Sequence, residues 1–200
     1  QVLRGPVRGS HAEGAAMRRG LRAWRPELAP CGGVPASSLV RLHMDPEGPS
    51  PFVSDSAMLG SLPGAGVDAY IEAVGPDAST TLLLAELRQL GGALARPHEG
   101  GGVLSHLDGQ YVAFAGAIAA TPEMGEHGRA DAGRFTEALA PWSNGTPYLN
   151  LAETPVDVES AYAEGVWRQL AGIRSAVDPH GTFVANHPVP RLFEGGEARA

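Results

Sequence analysis

The chain contains no lysine; all fifteen of its basic residues are arginine. That excludes Schiff-base catalysis and the phosphate-binding P-loop, both of which require a lysine amine. A single cysteine, Cys31, permits no internal disulfide and no cysteine-based zinc site. No apolar run reaches the roughly 18 residues that a membrane-spanning helix needs, so no membrane contact is expected. Cations are in deficit, with a formal net charge of −7, which argues against nucleic-acid binding. The seven histidines lack helical His-x-x-x-His or similar ligand spacing, and no metal is expected. The sequence opens on Gln1 with neither a signal-peptide core nor a starting methionine. It reads as processed, truncated or excerpted, and a cytoplasmic location is the default expectation. What is present suits a globular fold: 200 residues, 43% hydrophobic, enough for one domain or for a domain and part of a second.

Along the chain, residues 11–24 put Ala15, Ala16, Leu21 and Trp24 on one helical face and Arg18, Arg19 and Arg22 on the other. Pro26 ends that helix. A second short helix is expected over 35–43, opened by Pro35; His43, Met44 and Asp45 read as its end rather than as a metal site. Residues 49–63 read as loop, with Phe52 and Val53 as core anchors. Residues 64–74 predict a helix with Val67, Tyr70, Ile71 and Val74 on one side, stopped by Gly75-Pro76. Residues 80–90 predict a strand, with Leu82, Leu84, Glu86 and Arg88 on one face and Leu83, Ala85, Leu87 and Gln89 on the other. Both faces turn from apolar to polar, as in a strand that leaves the core for a cleft or an edge. Glu86 and Arg88 can also do no more than neutralise one another there. The glycines at 100–102 do not open a helix and make no phosphate loop. Residues 110–118 predict a further strand. Thr121-Pro122-Glu123 starts a helix running to 139 or 140, with Met124, Phe135 and Leu139 inward. The class is α+β, an antiparallel sheet with helices on one face, and residues 191–200 are expected as a disordered tail.

The most patterned stretch is 147–187. Tyr148 and Asn150 sit two apart in a short apolar segment; as a strand, it would turn both to one side. A phenol beside an amide can donate to and accept from a planar, heteroatom-rich ligand. Val158, Tyr162, Val166, Leu170, Ile173 and Val177 then form one helical stripe, ended by Asp178-Pro179.

The order Tyr148-x-Asn150, long helix, Asp178-Pro179-x-x-x-Phe183-x-x-Asn186 resembles the C-terminal end of flavin-dependent oxidases of the berberine-bridge-enzyme type, within the vanillyl-alcohol-oxidase superfamily. Residues 41–46 and 86–93 resemble segments of that family's substrate domain, and the likeness spans residues 12–190. It implies a substrate or cap lobe over 1–146 and a strand–helix–tail segment over 147–190 that completes an FAD lobe. It implies FAD as cofactor and hydride transfer from a small organic substrate to the flavin, with O2 or another acceptor reoxidising it. Tyr148, Asn150 and Asn186 would contact the flavin. Glu86 and Arg88 would serve as base or substrate anchor, and Gln89 would line the substrate pocket. Asp178 would stop the helix and Phe183 would plug the core. Leu151 stands where many members carry a tyrosine base. The family's pyrophosphate loop is not in this stretch, so an N-terminal region or a separate chain would supply it. The alternatives are a catalytically silent fragment and a lobe that binds small molecules.

Overall fold

The computed structural model describes residues 9–23, 25, 33–41, 48–192 and 198–199 and divides into two units, Gln1–Pro49 and Ser50–Ala200. In the first unit, α1 (His11–Met17) opens on a capping box. The Glu13 carboxylate accepts from the Ser10 N–H at 2.6 Å, and the Ser10 hydroxyl accepts from the Glu13 N–H at 3.3 Å. The Ser10 backbone bond, helped by its hydroxyl, holds the Glu13 carboxyl below the usual range. A separate short helix, α2 (Arg19–Arg22), follows, so the single expected helix is two pieces. The segment opened by Pro35 is a 3-10 helix over Ala36–Arg41. Trp24, Cys31, His43, Met44 and Asp45 lie outside the described residues.

The second unit holds β1 (Phe52–Leu59), α3 (Gly64–Val74), β2 (Leu84–Gln89), β3 (Tyr111–Ile118), α4 (Pro122–Leu139) and α5 (Glu164–Val177). The sheet has three antiparallel strands in the order β1-β3-β2, with Ser56, Phe114 and Glu86 in one row across it. This is the α+β arrangement expected. One correction is β1 itself, since residues 49–63 read as loop. Its central Ser54, Asp55 and Ser56 look like turn residues, but each is satisfied: Asp55 Oδ2 accepts from Thr136 Oγ1 of α4 at 2.6 Å.

Alternation divides the sheet into two faces. The odd-numbered residues meet the helices. Leu59, Ala113, Ala115, Ala132, Phe135 and Leu139 form the main core, with Tyr70, Ala85 and Leu87 packed against it. Burying Phe135 alone contributes roughly 1.5–3 kcal/mol. The run of alanines on β3 lets α4 lie close. A Cβ at Gly128 would stand 2.7 Å from Ala117 Cβ and 2.8 Å from Val53 Cγ2. Helix α4 begins where expected, with Thr121 Oγ1 accepting from the Met124 N–H and Pro122 in the first turn.

Other expectations are corrected. On α3, Tyr70 and Val74 pack inward, but Val67 and Ile71 are largely exposed, as is Met124 of α4. The stripe from Val158 is interrupted. Glu159–Ala161 is a 3-10 turn, Tyr162 and Ala163 are extended, and α5 starts at Glu164. Asp178 does end α5. It is buried, and its carboxylate accepts from the Thr182 N–H at 2.7 Å and lies 3.5 Å from Arg174. Phe183 is no core plug, being 71% exposed. In place of a wholly disordered tail, β4 (Arg191–Leu192) pairs with β5 (Ala198–Arg199), and the Leu192 N–H donates to Ser175 Oγ of α5 at 2.7 Å.

Candidate functional site

Among the described residues of the second unit, no helix layer packs on the even-numbered face of the sheet. Across it run three rows set by register: Ser54, Gly116 and Leu84; Ser56, Phe114 and Glu86; Met58, Val112 and Arg88. Arg88 Nε donates to Glu86 Oε1 at 2.8 Å, and its Nη2 donates to the same oxygen. The guanidinium carbon also lies 5.5 Å from the centroid of the Phe114 ring, a cation–π distance. Phe114 stacks on Phe52, with centroids 6.4 Å apart and planes at 29°. Position 116 must be glycine because the Phe52 ring covers it and any Cβ would collide. The result is an aromatic shelf with a carboxylate and a guanidinium at its β2 side. Both charged side chains remain partly exposed, 30% for Glu86 and 40% for Arg88. Gln89 is not with them. It is exposed and belongs to the helix-side set of β2 residues.

Tyr148 and Asn150 are not on a strand. Leu149–Leu151 is a 3-10 turn, closed by the Leu151 N–H donating to the Tyr148 carbonyl at 2.9 Å. In such a turn residues i and i+3 share a side. Tyr148 and Leu151 accordingly pack together on Met58, Leu90 and Val112 at one end of the open face. Leu151 is therefore a core anchor. Asn150 is exposed, and its Nδ2 donates to Tyr148 Oη at 3.4 Å.

This turn belongs to a strap that runs along the outer edge of β1. Gly60 N–H donates to Trp142 O and Asn144 N–H to Met58 O, both at 3.0 Å. Ser56 Oγ donates to Leu151 O at 3.3 Å. The Glu153 carboxylate accepts from both the N–H and the Oγ of Ser54, at 2.5 and 2.7 Å. His187 Nε2 lies 3.0 Å from the Ala152 carbonyl. A carbonyl only accepts, so Nε2 carries the proton, and the buried Nδ1 has no partner among the described residues. Asn186 is exposed and stands one residue before His187. Phe52, Phe114, Glu153 and His187 were not singled out from sequence as site residues. The alternation that would have placed Phe52 was masked by the serines of β1, and Phe114 lay within the apolar run of β3, where nothing set it apart from its neighbours.

On the helix side, a cleft of about 420 Å³ opens between α3 and α4 and includes Thr80, Asp131 and Arg134 in its lining. Asp131 is 7% exposed. Its Oδ2 accepts from Thr81 N at 2.6 Å, Thr81 Oγ1 at 2.7 Å and Thr80 Oγ1 at 3.3 Å, and Arg134 pairs with Oδ1. Desolvation pushes its pKa up, but the Thr81 bonds, Arg134 and Thr80 together outweigh that and hold it below the usual range. This carboxylate is spent on anchoring the segment before β2. Tyr70 does similar work on the other side of the cleft. Its Oη donates to Ala85 O at 2.9 Å, and burial, then the charge of Glu86, pushes the phenol up. Among the described residues no three His, Cys, Asp or Glu side chains converge as metal ligands. No described helix is long and apolar enough to cross a membrane.

No family model and no curated protein matches the sequence. Among solved structures, the chain is similar to wild-type Physcomitrella patens BBE-like 1, with TM-score 0.56 and 18% identity over 75% of this chain and 32% of that one. It is also similar to a variant of the same protein, with TM-score 0.69 and 16% identity over 91% of this chain and 43% of that one. The shared feature is the fold, and the chain spans less than half the length of either structure.

Proposed function

We propose that the chain forms the substrate-facing part of an FAD-dependent oxidoreductase of the berberine-bridge-enzyme type. The observation that carries this reading is the open sheet face, where a carboxylate–guanidinium pair lies on an aromatic shelf beside the Tyr148–Asn150 turn. The fold likeness to BBE-like 1 supports it.

The residues present fit one part of the cofactor. Tyr148 Oη and the Asn150 amide are adjacent and accessible enough to donate to and accept from the polar edge of a flavin ring. No glycine-rich loop opening a helix, which would cradle a pyrophosphate, occurs among the described residues. The flavin, when bound, accepts a hydride from the substrate, and the rest falls to the protein. Arg88 holds Glu86 through Oε1, which leaves Oε2 to take a proton from a substrate on the open side. The Phe52–Phe114 shelf supplies a flat apolar floor for a small organic substrate. Leu151 cannot act as base, because it is a hydrocarbon turned into the core.

The test is quenching of flavin fluorescence, with riboflavin and FAD titrated separately. Binding of both with similar affinity is expected, since the contacts are to the ring alone, and Asn150→Ala should weaken it several-fold. If neither flavin is quenched by the wild-type chain, the reading fails.

A further inference from the structure

We propose that His187 is a positioning residue for the Tyr148–Asn150 turn: its Nε2–H holds the carbonyl that follows the turn, and Arg174 holds His187. Its bearing on function rests on the reading of that turn as a flavin contact; the geometry does not. The chain around His187 is stiff by composition. In the run Asn186-His187-Pro188-Val189-Pro190, φ is fixed at both prolines, and His187 and Val189, each before a proline, are kept out of the helical region. Arg174 of α5 grips this segment on both sides of His187. Its Nη2 donates to the Phe183 carbonyl at 3.2 Å and its Nη1 to the Val189 carbonyl at 3.0 Å. The guanidinium lies in turn 3.5 Å from the buried Asp178 carboxylate, which also accepts from the Thr182 N–H. One side chain thus sets residues 183–189 against α5.

The imidazole is presented to one atom. Nε2 lies 3.0 Å from the carbonyl of Ala152, the residue that caps the Leu149–Leu151 turn. The Ala152 N–H donates back to the Leu149 carbonyl at 3.4 Å, and the Leu151 N–H to that of Tyr148 at 2.9 Å. Ala152 is therefore held at its N–H by the turn and at its carbonyl by His187. The strap has two further ties, both to β1. Ser56 Oγ reaches the Leu151 carbonyl at the longer distance of 3.3 Å, and the Glu153 contact with Ser54 is exposed. The His187 bond is half-buried, where a hydrogen bond is electrostatically stronger than in water. The ring works through this one nitrogen, because the buried Nδ1 meets no partner among the described residues. The requirement is thus for a donor at the Nε2 position, and a glutamine amide reaches that position while an asparagine amide reaches only that of Nδ1.

Amide hydrogen exchange at Leu151 tests this on the 200-residue chain. His187→Leu keeps the bulk and removes the donor. Exchange at Leu151 should quicken roughly 2- to 10-fold, the worth of one hydrogen bond, while the β3 amides keep their protection. His187→Gln should restore the slow rate and His187→Asn should not, a split that loss of packing alone does not produce. If His187→Leu fails to fold, that pair decides alone. Arg174→Gln should quicken the same amide in the wild type and add nothing in the His187→Leu background, because Arg174 acts through His187. Nitrogen NMR of the ring should find the proton on Nε2. A ring protonated on Nδ1 alone overturns the proposal, as does a Leu151 rate that is unchanged by His187→Leu or equal in His187→Gln and His187→Asn. Riboflavin quenching, measured on the same proteins, should weaken in step with the Leu151 rate. A wild type that quenches riboflavin no better than His187→Leu does overturns the positioning role. A wild type that quenches none at all overturns the flavin reading instead, and the exchange rates still decide for or against His187.

Discussion

Two of the three glycines of helix α4 have opposite surroundings, and replacing each by alanine should move stability in opposite directions. At Gly128 a new Cβ would lie 2.7 Å from Ala117 Cβ and 2.8 Å from Val53 Cγ2. Neither neighbour can yield cheaply, since Ala117 is 1% and Val53 4% exposed, both within strands. Overpacking of this kind costs about 1–3 kcal/mol. The intrinsic gain of alanine over glycine in a helix is about 1 kcal/mol, so Gly128→Ala should lose about 1 kcal/mol net. At Gly133 nothing lies within 4 Å of the new atom, so the propensity gain stands alone and Gly133→Ala should gain about 0.5–1 kcal/mol. The two variants should then differ by roughly 2 kcal/mol. For a chain of this length that is a gap of about 4–8 °C in Tm. Urea and thermal unfolding followed by circular dichroism measure it. A Gly128→Ala protein as stable as Gly133→Ala would refute the close approach of α4 to the sheet.

Three further outcomes are expected. Asp131→Ala removes the buried carboxylate that accepts from the Thr81 N–H and should cost about 1–3 kcal/mol by urea unfolding. Because the folded pKa of Asp131 is lowered, its stabilisation is full above the ordinary carboxylate range and fades as pH falls through the lowered value. Asp131→Asn should flatten that acid limb of the stability curve. The Tyr70 phenol, raised by burial and by Glu86, should ionise above the ordinary tyrosine range in an ultraviolet titration. Its contribution is intact below the ordinary tyrosine range and is lost as pH rises through the raised value; Glu86→Gln should move that step down only part of the way. Glu153→Ala frees the strap from Ser54, so amide exchange at Ser54 should quicken several-fold, and an unchanged rate would mean that the strap is held elsewhere.

The elements legible in the sequence were those whose local signals agreed. Helix α3 had its Gly75-Pro76 stop, α4 had Thr121 and Pro122, and β3 had an unbroken apolar run. β1 was hidden because its polar residues are satisfied by partners remote in sequence: Ser54 by Glu153, Asp55 by Thr136. The Tyr148 segment has strand-like composition, but tertiary packing of Tyr148 and Leu151 on one cluster favours a tight turn. Of the candidate site, alternation placed Glu86 and Arg88 on one strand face and the family resemblance singled them out, and their mutual neutralisation was foreseen as the plain alternative. The aromatic floor beneath Arg88 could not be found, because only the register of β1 against β3 brings Phe52 to Phe114. Phe183 misled by its hydrophobicity. Its backbone, which bonds to Asp178 and Arg174, is what the fold uses.

The strap along β1 has a consequence for aggregation. A sheet bare on both sides can add strands without limit, and repetition in one direction makes a fibre. Here Trp142, Asn144 and Glu153 occupy one side from within the same chain. The strap thus acts as a chain terminator at β1, keeping that strand from becoming a polymerisation site.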